Sequence, residues 1–551
     1  MAQPPTVHAT RRKTPTATAI MMSTAGSSCA DGRAMRRARF RARVAGRGGG
    51  ARYGRGMTPV TRDTAAELPA HLRDLADFVT ASPSSYHAAE EVARRLEAVG
   101  FTRLDEAVDF PSAPGGYVVV RDGAAVAWIV PTGAGALGRD EGAEARAAGP
   151  DEAGPSAGVV PVFRVLGAHT DSPGFKLKPN PATVTADGWV QAGVEVYGGP
   201  LLNSWLDREL RFAGRLALDD GTQVLAATGP VGRIPQLAIH LDREVNEGLT
   251  LKRQRHTNPV VGALAPRGEG TGEAEADGLA ARVPGDVLTA LAAAAGVDPA
   301  AVRGHDVVVA DAQAPGLFGL AGEFFASGRL DNLSSVHAGL VALEELAREH
   351  GGAEGAIAYE GTVAGGVAGE AAGAPVIPLL AAFDHEELGS ASRSGAAGPL
   401  LEEIMGRVLE ALGVAGQGRA RAIAGSWLLS ADAGHLVHPN YAERHDPVNH
   451  PRVNHGPLLK INANQRYATD AGGEAAFARW CGVAGVPFQE FVSHNDVPCG
   501  STIGPISATR LGIRTVDVGL GLLSMHSARE MCGVRDVEHL TAAVREFFRG
   551  V

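Results

Sequence analysis

Four apolar runs of the sequence lead into imidazole and carboxylate groups, and a fifth segment adds a carboxylate. VPVFRVLGA runs into His169-Thr170-Asp171, PVIPLLAAF into Asp384-His385-Glu386-Glu387, SWLLSA into Asp432-Ala433-Gly434-His435, and TVDVGLGLLSM leads to His526. The fifth segment, SGRLDNLSS, puts Asp331 before a helix-like stretch, SSVHAGLVALEEL. Open α/β sheets bind ligands outside the carboxyl ends of their strands, so runs that end this way point at one shared site. Imidazole and carboxylate donors without clustered cysteines suit zinc, with manganese or cobalt as substitutes. A carboxylate such as Asp331 can bridge two cations, and two cations a few ångströms apart can hold a hydroxide and polarise a carbonyl.

The neighbours Glu386 and Glu387 cannot easily serve the same metal. One should ligate while the other stays free to accept a proton as general base, and the residues alone do not choose between them. Asp171, two positions after His169, suits an acid that orients that imidazole. H-x-D alone is weak, and a single His or Asp is more often structural; the five segments together carry the reading.

Several other chemistries are set aside. HEELG is not HExxH, because Gly389 stands where the second His would be. None of the five lysines (Lys13, Lys176, Lys178, Lys252, Lys460) follows a glycine, so there is no P-loop. GPSAG, Gly154 to Gly158, matches G-x-S-x-G but has no strand before it and no helix after it, and reads as a chance match. Cys499 lacks a matching His–Asn arrangement and reads as a small buried thiol.

The elements that must position these groups follow from periodicity. Leu72, Leu75 and Phe78 share a helix face. After Pro83 a second helix points Val92, Leu96 and Val99 inward and stops at Gly100. YVVV from Tyr117 and VAWIV from Val126 read as strands. Val537, Leu540, Val544 and Phe547 mark a core-facing helix near the C-terminus. From about 188 to 250, short β-like runs lack the alternating helices of the flanking regions. The fold class is therefore α/β, a mixed sheet flanked by helices, split by a smaller β-rich insertion. Gly/Ala-rich stretches near 133–158, 264–283 and 351–374 read as loops.

At 551 residues the chain predicts more than one lobe, and 45% hydrophobic with 20% charged residues suits a globular protein. Residues 1–56 carry twelve of the 51 basic residues and one of the 61 acids. That basic head reads as disordered, either a targeting peptide or, preferably, untranslated sequence before Met57. The remainder holds 39 basic and 60 acidic residues, which argues against nucleic acid or an anionic membrane as partner. No run approaches 18 apolar residues, so no membrane span is expected. Cys29, Cys481, Cys499 and Cys532 lack paired spacing, which suggests a reducing, cytoplasmic setting.

With these segments in hand, the sequence resembles the M18 aminopeptidases, the aspartyl aminopeptidases. The matching stretches are GAHTDSPGFKLKPNP, YGGPLLNSWLDREL, IPQLAIHLDREVNEG, GRLDNLSS, DHEELGS, HPNYAERHDP, QRYATD, PCGSTIGPI and SMHSARE, in the family's order from about residue 65 onward. The resemblance implies a di-zinc exopeptidase-like catalytic domain, from residues 57–172 and 311–551, with a β-rich dimerisation domain inserted at 173–310. It implies two zinc ions per subunit: His169 and Asp432 on one, Glu387 and His526 on the other, Asp331 bridging. Glu386 would be the general base and Asp171 the orienting acid.

The resemblance also implies a homo-dodecamer built from dimers. There His240 of a neighbouring subunit would reach the site and stabilise the tetrahedral intermediate; read alone, it is a half-buried strand histidine. Lys460 would be the cation that receives an N-terminal Asp or Glu side chain; read alone, it is an amphipathic surface lysine. Ser493-His494-Asn495-Asp496 lacks the Arg the family carries before this pair, which leaves a neutral-residue preference as the alternative. Of the histidines at 435, 438, 445, 450 and 455, most should bond loop backbone or line a channel, with His438 standing behind a ligand. His337 reads as structural. The expected function is a metalloaminopeptidase that hydrolyses the N-terminal residue of short peptides through a dizinc-bridged hydroxide. The rivals are a di-zinc deacylase or carboxypeptidase and a noncatalytic cargo-binding assembly.

Overall fold

The computed structural model describes residues 68–134, 159–264, 286–351, 357–365 and 371–551. The basic head, the GPSAG motif and most of the Gly/Ala-rich stretches lie outside the described residues.

A nine-stranded mixed sheet forms the body. At its centre Val376–Phe383, Val162–His169, Trp427–Ala431 and Arg514–Gly519 run side by side and parallel. Phe383 stands opposite His169, and Ala431 opposite Val518, so these strands end along one edge. Every residue of the first three is buried. Burial on both faces explains why these segments read as unbroken apolar runs rather than alternating ones. Alternation survives in what each residue touches. Phe163 and Val165 pack with Leu401, Ile404 and Leu428, whereas Leu166 and Ala168 pack with Leu340, Val544 and Phe547 on the opposite face.

The helices follow the sequence periods. Ala70–Ala81 buries Leu72, Leu75 and Phe78. Ser85–Glu97 buries Val92 and Leu96, with Ser84 capping its first turn; Val99 lies beyond the helix end but still packs, half-buried, against the same core. Val534–Arg549 buries Val537, Leu540, Val544 and Phe547. No described helix is long and apolar enough to cross a membrane.

Residues 174–311 supply a second, seven-stranded sheet. Val302–Asp311 pairs both with Gly174–Val184 and, along nearly its whole length, with Glu209–Leu218, so the sheet closes on itself as a barrel. Closure leaves few unpaired edges, and Phe175, Val194, Leu210, Phe212, Val307 and Val309 fill the interior. The β-like reading of 188–250 fails over its last part. After Gly232–Arg233 the next strand is Val260–Ala263, and the stretch between is turns and irregular backbone.

TVDVGLGLLSM is likewise two strands. Arg514–Gly519 belongs to the body, whereas Gly521–Leu523 joins a separate five-stranded sheet that also holds Phe324–Ser327 and Glu530–Gly533.

Candidate active site

The strand edge gathers the groups the sequence singles out. His169 is the last residue of its strand. Glu386 and Glu387 sit on a short 3-10 turn three residues beyond Phe383, and Asp432 follows Ala431 directly. Asp331 opens the helix Leu330–Glu349 in non-helical backbone, and its peptide bond to Asn332 is cis. His526 stands on the turn between Gly521–Leu523 and Glu530–Gly533, in left-handed backbone at φ 65°.

His169 Nε2 lies 3.3 Å from Asp331 Oδ1, 3.3 Å from Asp432 Oδ1 and 3.9 Å from Glu386 Oε2. His526 Nε2 lies 3.4 Å from Asp331 Oδ2 and 3.6 Å from Glu387 Oε2. Donor atoms of His169, Asp331 and Glu387 all fall within 4.8 Å of one another. These spacings exceed the roughly 2.7–2.9 Å of charge-assisted hydrogen bonds. They approach the donor–donor edge of about 3.3 Å that a tetrahedral ion with zinc's bond lengths of about 2.0–2.1 Å imposes. Asp331 Oδ1 and Glu387 Oε1 are buried without a well-formed hydrogen bond, and such acceptors are costly unless something else satisfies them. The residues therefore fit a metal site at His169, Asp331 and Glu387, with Asp432 and His526 beside it.

The electrostatics agree. Burial pushes the Glu387 carboxyl well above its ordinary range, and Asp331 adds to the push. Glu386 is raised to about 7 by burial, opposed by His169 and helped by Asp432 and Asp331. Burial works against protonation of His169, but the carboxylates of Asp171, Asp331 and Asp432 outweigh it and hold that imidazole well above its usual value. So many acids around two imidazoles call for more positive charge than the side chains supply.

Asp171 holds this arrangement from behind. Its Oδ1 accepts the Glu386 amide at 3.0 Å; its Oδ2 accepts the Glu387 amide at 3.2 Å and the Tyr197 hydroxyl at 2.9 Å. His169 Nδ1 faces the Asp171 carbonyl at 3.0 Å and its Oδ1 at 3.3 Å. Burial raises the Asp171 carboxyl, but His169, Tyr197 and the Glu386 amide outweigh it and the net shift is downward.

Lys460 is 1% exposed, which overturns the surface-lysine reading. Its Nζ donates to the Ala433 carbonyl at 2.7 Å, lies 3.6 Å from Asp432 Oδ2 and stands 5.3 Å from the Tyr467 ring centre. It lines the same pocket as Asp331, Glu386, Glu387, Asp432 and His526, with Tyr467 and Thr502 in the walls. Asp517, buried behind those walls, accepts from the Ala468 amide and the Thr502 hydroxyl and so ties both down.

His240 does not join this pocket within its own subunit. It is exposed on a turn rather than half-buried in a strand. Its neighbours in sequence Leu237, Ile239 and Leu241 are also exposed, and no described strand pairs with them. Among the loop histidines His435, not His438, lines the pocket. The His438 ring accepts the Asn440 amide and packs on Tyr441, while His445 accepts the His438 amide and His455 meets the Val453 carbonyl. Cys499 is half-buried beside Leu458, Tyr467 and Phe491 rather than fully enclosed. His337 is buried in its helix, with Nε2 bonded to Asp74 at 2.6 Å.

Two residues that sequence reasoning passes over touch the site. Tyr197 reaches Asp171 from the barrel and has no local signal. Glu530 lies four positions after His526 in SMHSARE, and its carboxylate accepts backbone amides of two site residues. An acid that close to a candidate ligand is the one hint the sequence offers.

Comparison with known proteins gives the following. Residues 157–359 and 362–548 match the sequence model of the family described as Aminopeptidase I zinc metalloprotease (M18). The chain is 46% identical over 481 residues to the probable M18 family aminopeptidase 2 of Streptomyces coelicolor, covering 87% of this chain and 98% of that protein. A cryo-EM structure of the Ape4 and Nbr1 complex superposes with a TM-score of 0.72 at 32% identity, covering 87% of this chain and 85% of that one. The mApe1 dodecamer of S. cerevesiae superposes at 0.66 with 27% identity, over 86% of this chain and 95% of that one.

Proposed function

Because this chain belongs to the M18 family of zinc metalloaminopeptidases, we propose that it removes an N-terminal Asp or Glu from short peptides. Two zinc ions per subunit would serve the reaction, and His169, Asp432, Glu387, His526 and Asp331 would hold them, Asp331 contributing to both. The observation that carries this reading is the division of Asp331's two oxygens between two imidazoles, each of which also faces a further acid. Manganese or cobalt can substitute where geometry allows.

When bound, the metal ions supply Lewis acidity and a water acidic enough to react near neutral pH. Glu386 receives the proton of the attacking water at its carboxylate and passes it to the leaving amine. A carboxyl poised at about 7 is suited to both transfers. Asp171 orients His169 and, through two amides, holds Glu386 and Glu387 at the pocket floor. Lys460 offers the buried cation that an acidic side chain at the substrate N-terminus requires. His240, exposed with its apolar neighbours, enters the site of an adjoining subunit and stabilises charge on the scissile carbonyl oxygen.

Residues 57–172 and 311–551 form the catalytic domain, and 173–310 the dimerisation domain. The dodecamer described for the yeast homologue is the assembly proposed here, and its enclosure restricts substrates to short peptides. A cytoplasmic setting accords with Cys481, Cys499 and Cys532, which are free thiols.

The test is release of the N-terminal residue from a short-peptide panel bearing Asp, Glu, Leu, Lys or acetyl-Asp. Each peptide is run with and without a chelator, and again with zinc restored. Chelator-sensitive cleavage led by Asp and Glu supports the proposal. Preference for Leu keeps the mechanism and removes the acidic pocket. Cleavage of acetyl-Asp points to a deacylase, and no cleavage by an intact zinc-loaded assembly points to cargo binding.

A further inference from the structure

Glu530 opens the strand Glu530–Gly533, where it pairs in register with Ser327. That pairing lays it beside the chain as it passes from Ser327 into Asp331, while the preceding turn carries His526. The side chain is 2% exposed. Its Oε2 accepts the Asp331 amide at 3.0 Å, and its Oε1 accepts the His526 amide at 2.8 Å. One carboxylate thus ties together the backbones of two residues far apart in sequence that face each other across one metal position.

Burying a carboxylate is costly unless its oxygens are satisfied. A neutral isostere could not replace this one. Gln offers a single acceptor oxygen and would turn an N–H toward the other amide. The His526 backbone is left-handed, at φ 65°, and so is Ser524, at φ 58°. Such backbone is disfavoured in non-glycine residues and persists where its surroundings fix it. Glu530 supplies one restraint, on the His526 amide. The Gly199 carbonyl, 3.0 Å from His526 Nδ1, supplies another, on the ring.

We propose that Glu530 is a positioning residue that fixes the Asp331–His526 spacing and thereby sets the affinity of the second zinc position. This rests on the two-zinc reading given above. Asp171 does the equivalent for Glu386 and Glu387, so two separate segments of the site each hang from one buried carboxylate that accepts two amides.

The experiment is zinc titration of the full-length assembled protein against a chromophoric chelator, for the wild type, E530Q and E530D. Outer-shell partners of metal ligands typically cost about 10–100-fold in affinity when altered. E530Q should keep the tighter equivalent of zinc and weaken the other by that factor, with excess zinc restoring kcat. E530D, which keeps the charge but shortens the reach, should shift the same equivalent by less, and decides the matter if E530Q does not assemble. Wild-type zinc affinities in the folded variants, even with a lowered melting temperature, would make Glu530 merely structural and overturn the proposal. A wild type that takes up only one zinc would instead defeat the two-zinc reading itself.

Discussion

Asp331 turns its two oxygens to two different imidazoles, Oδ1 to His169 at 3.3 Å and Oδ2 to His526 at 3.4 Å. Among the described residues no other acid faces both rings at such distances. Under the two-zinc proposal this carboxylate stands between the ions, with the other candidate ligands on either side. Asp331→Asn keeps one acceptor and loses the symmetric bridge. The variant should hold about one zinc per subunit where the wild type holds two, read by elemental analysis of dialysed protein. Full zinc content would remove the bridge.

Glu386 approaches His169 no closer than 3.9 Å, beyond the spacing of the other candidate ligands. Glu386→Gln should therefore retain zinc while kcat falls by about 10²–10⁴-fold. Loss of zinc in parallel would recast Glu386 as a ligand.

Lys460 is committed to Ala433 and Asp432 as well as facing the pocket, so its two roles need separating. A charge-assisted bond to a substrate carboxylate is worth roughly 1.5–3 kcal/mol. Lys460→Met should then lower kcat/KM for Asp and Glu peptides by about 10–100-fold relative to a Leu peptide. An equal loss on all peptides would mean that Lys460 serves Asp432 alone.

His240 tests the assembly. His240→Gln should lower kcat by about 10²-fold, as removal of a donor to a developing oxyanion does, with zinc content and particle size unchanged. A stable, fully active monomer in light scattering would sink the role in trans.

Away from the site, the carboxyl of Asp74 sits at about 2 against an ordinary 3.8. Burial raises it, but hydrogen bonds and charge from His337 and Arg95 win. A carboxyl with a depressed folded-state value stabilises the fold above its unfolded value and loses that contribution as pH falls toward the folded one. The gap in urea midpoint between the wild type and Asp74→Asn should be widest above pH 5 and shrink between about pH 4 and 2. A gap independent of pH would show that the ion pair contributes nothing.

The parts of this protein legible in its sequence are those that local pattern encodes. Parallel strands buried on both faces appear as apolar runs, and their carboxyl ends announce His169, Glu386 and Asp432. The helix Val534–Arg549 declares itself by spacing alone. Barrel closure is different, because the double pairing of Val302–Asp311 is a relation between distant segments with no local mark. His240 misleads because Leu237, Ile239 and Leu241 alternate as a strand would, yet no described strand pairs with them. The burial of Lys460 is set by a three-residue strand, Leu458–Lys460, too short for any period to show. Glu530 and Tyr197 act on other residues rather than on a ligand, and that kind of contact has no spacing signature.

The barrel interrupts the body just after His169, and the chain leaves it at Asp311, ahead of Asp331. Translation therefore delivers one candidate ligand early, then a whole separate module, then Asp331, Glu387 and Asp432 in turn, and His526 near the end. The proposed set is complete only once His526 has been made, so the two-metal site belongs to the nearly finished fold. Chelation should accordingly silence the protein without unravelling it, and the stripped form should reload without refolding.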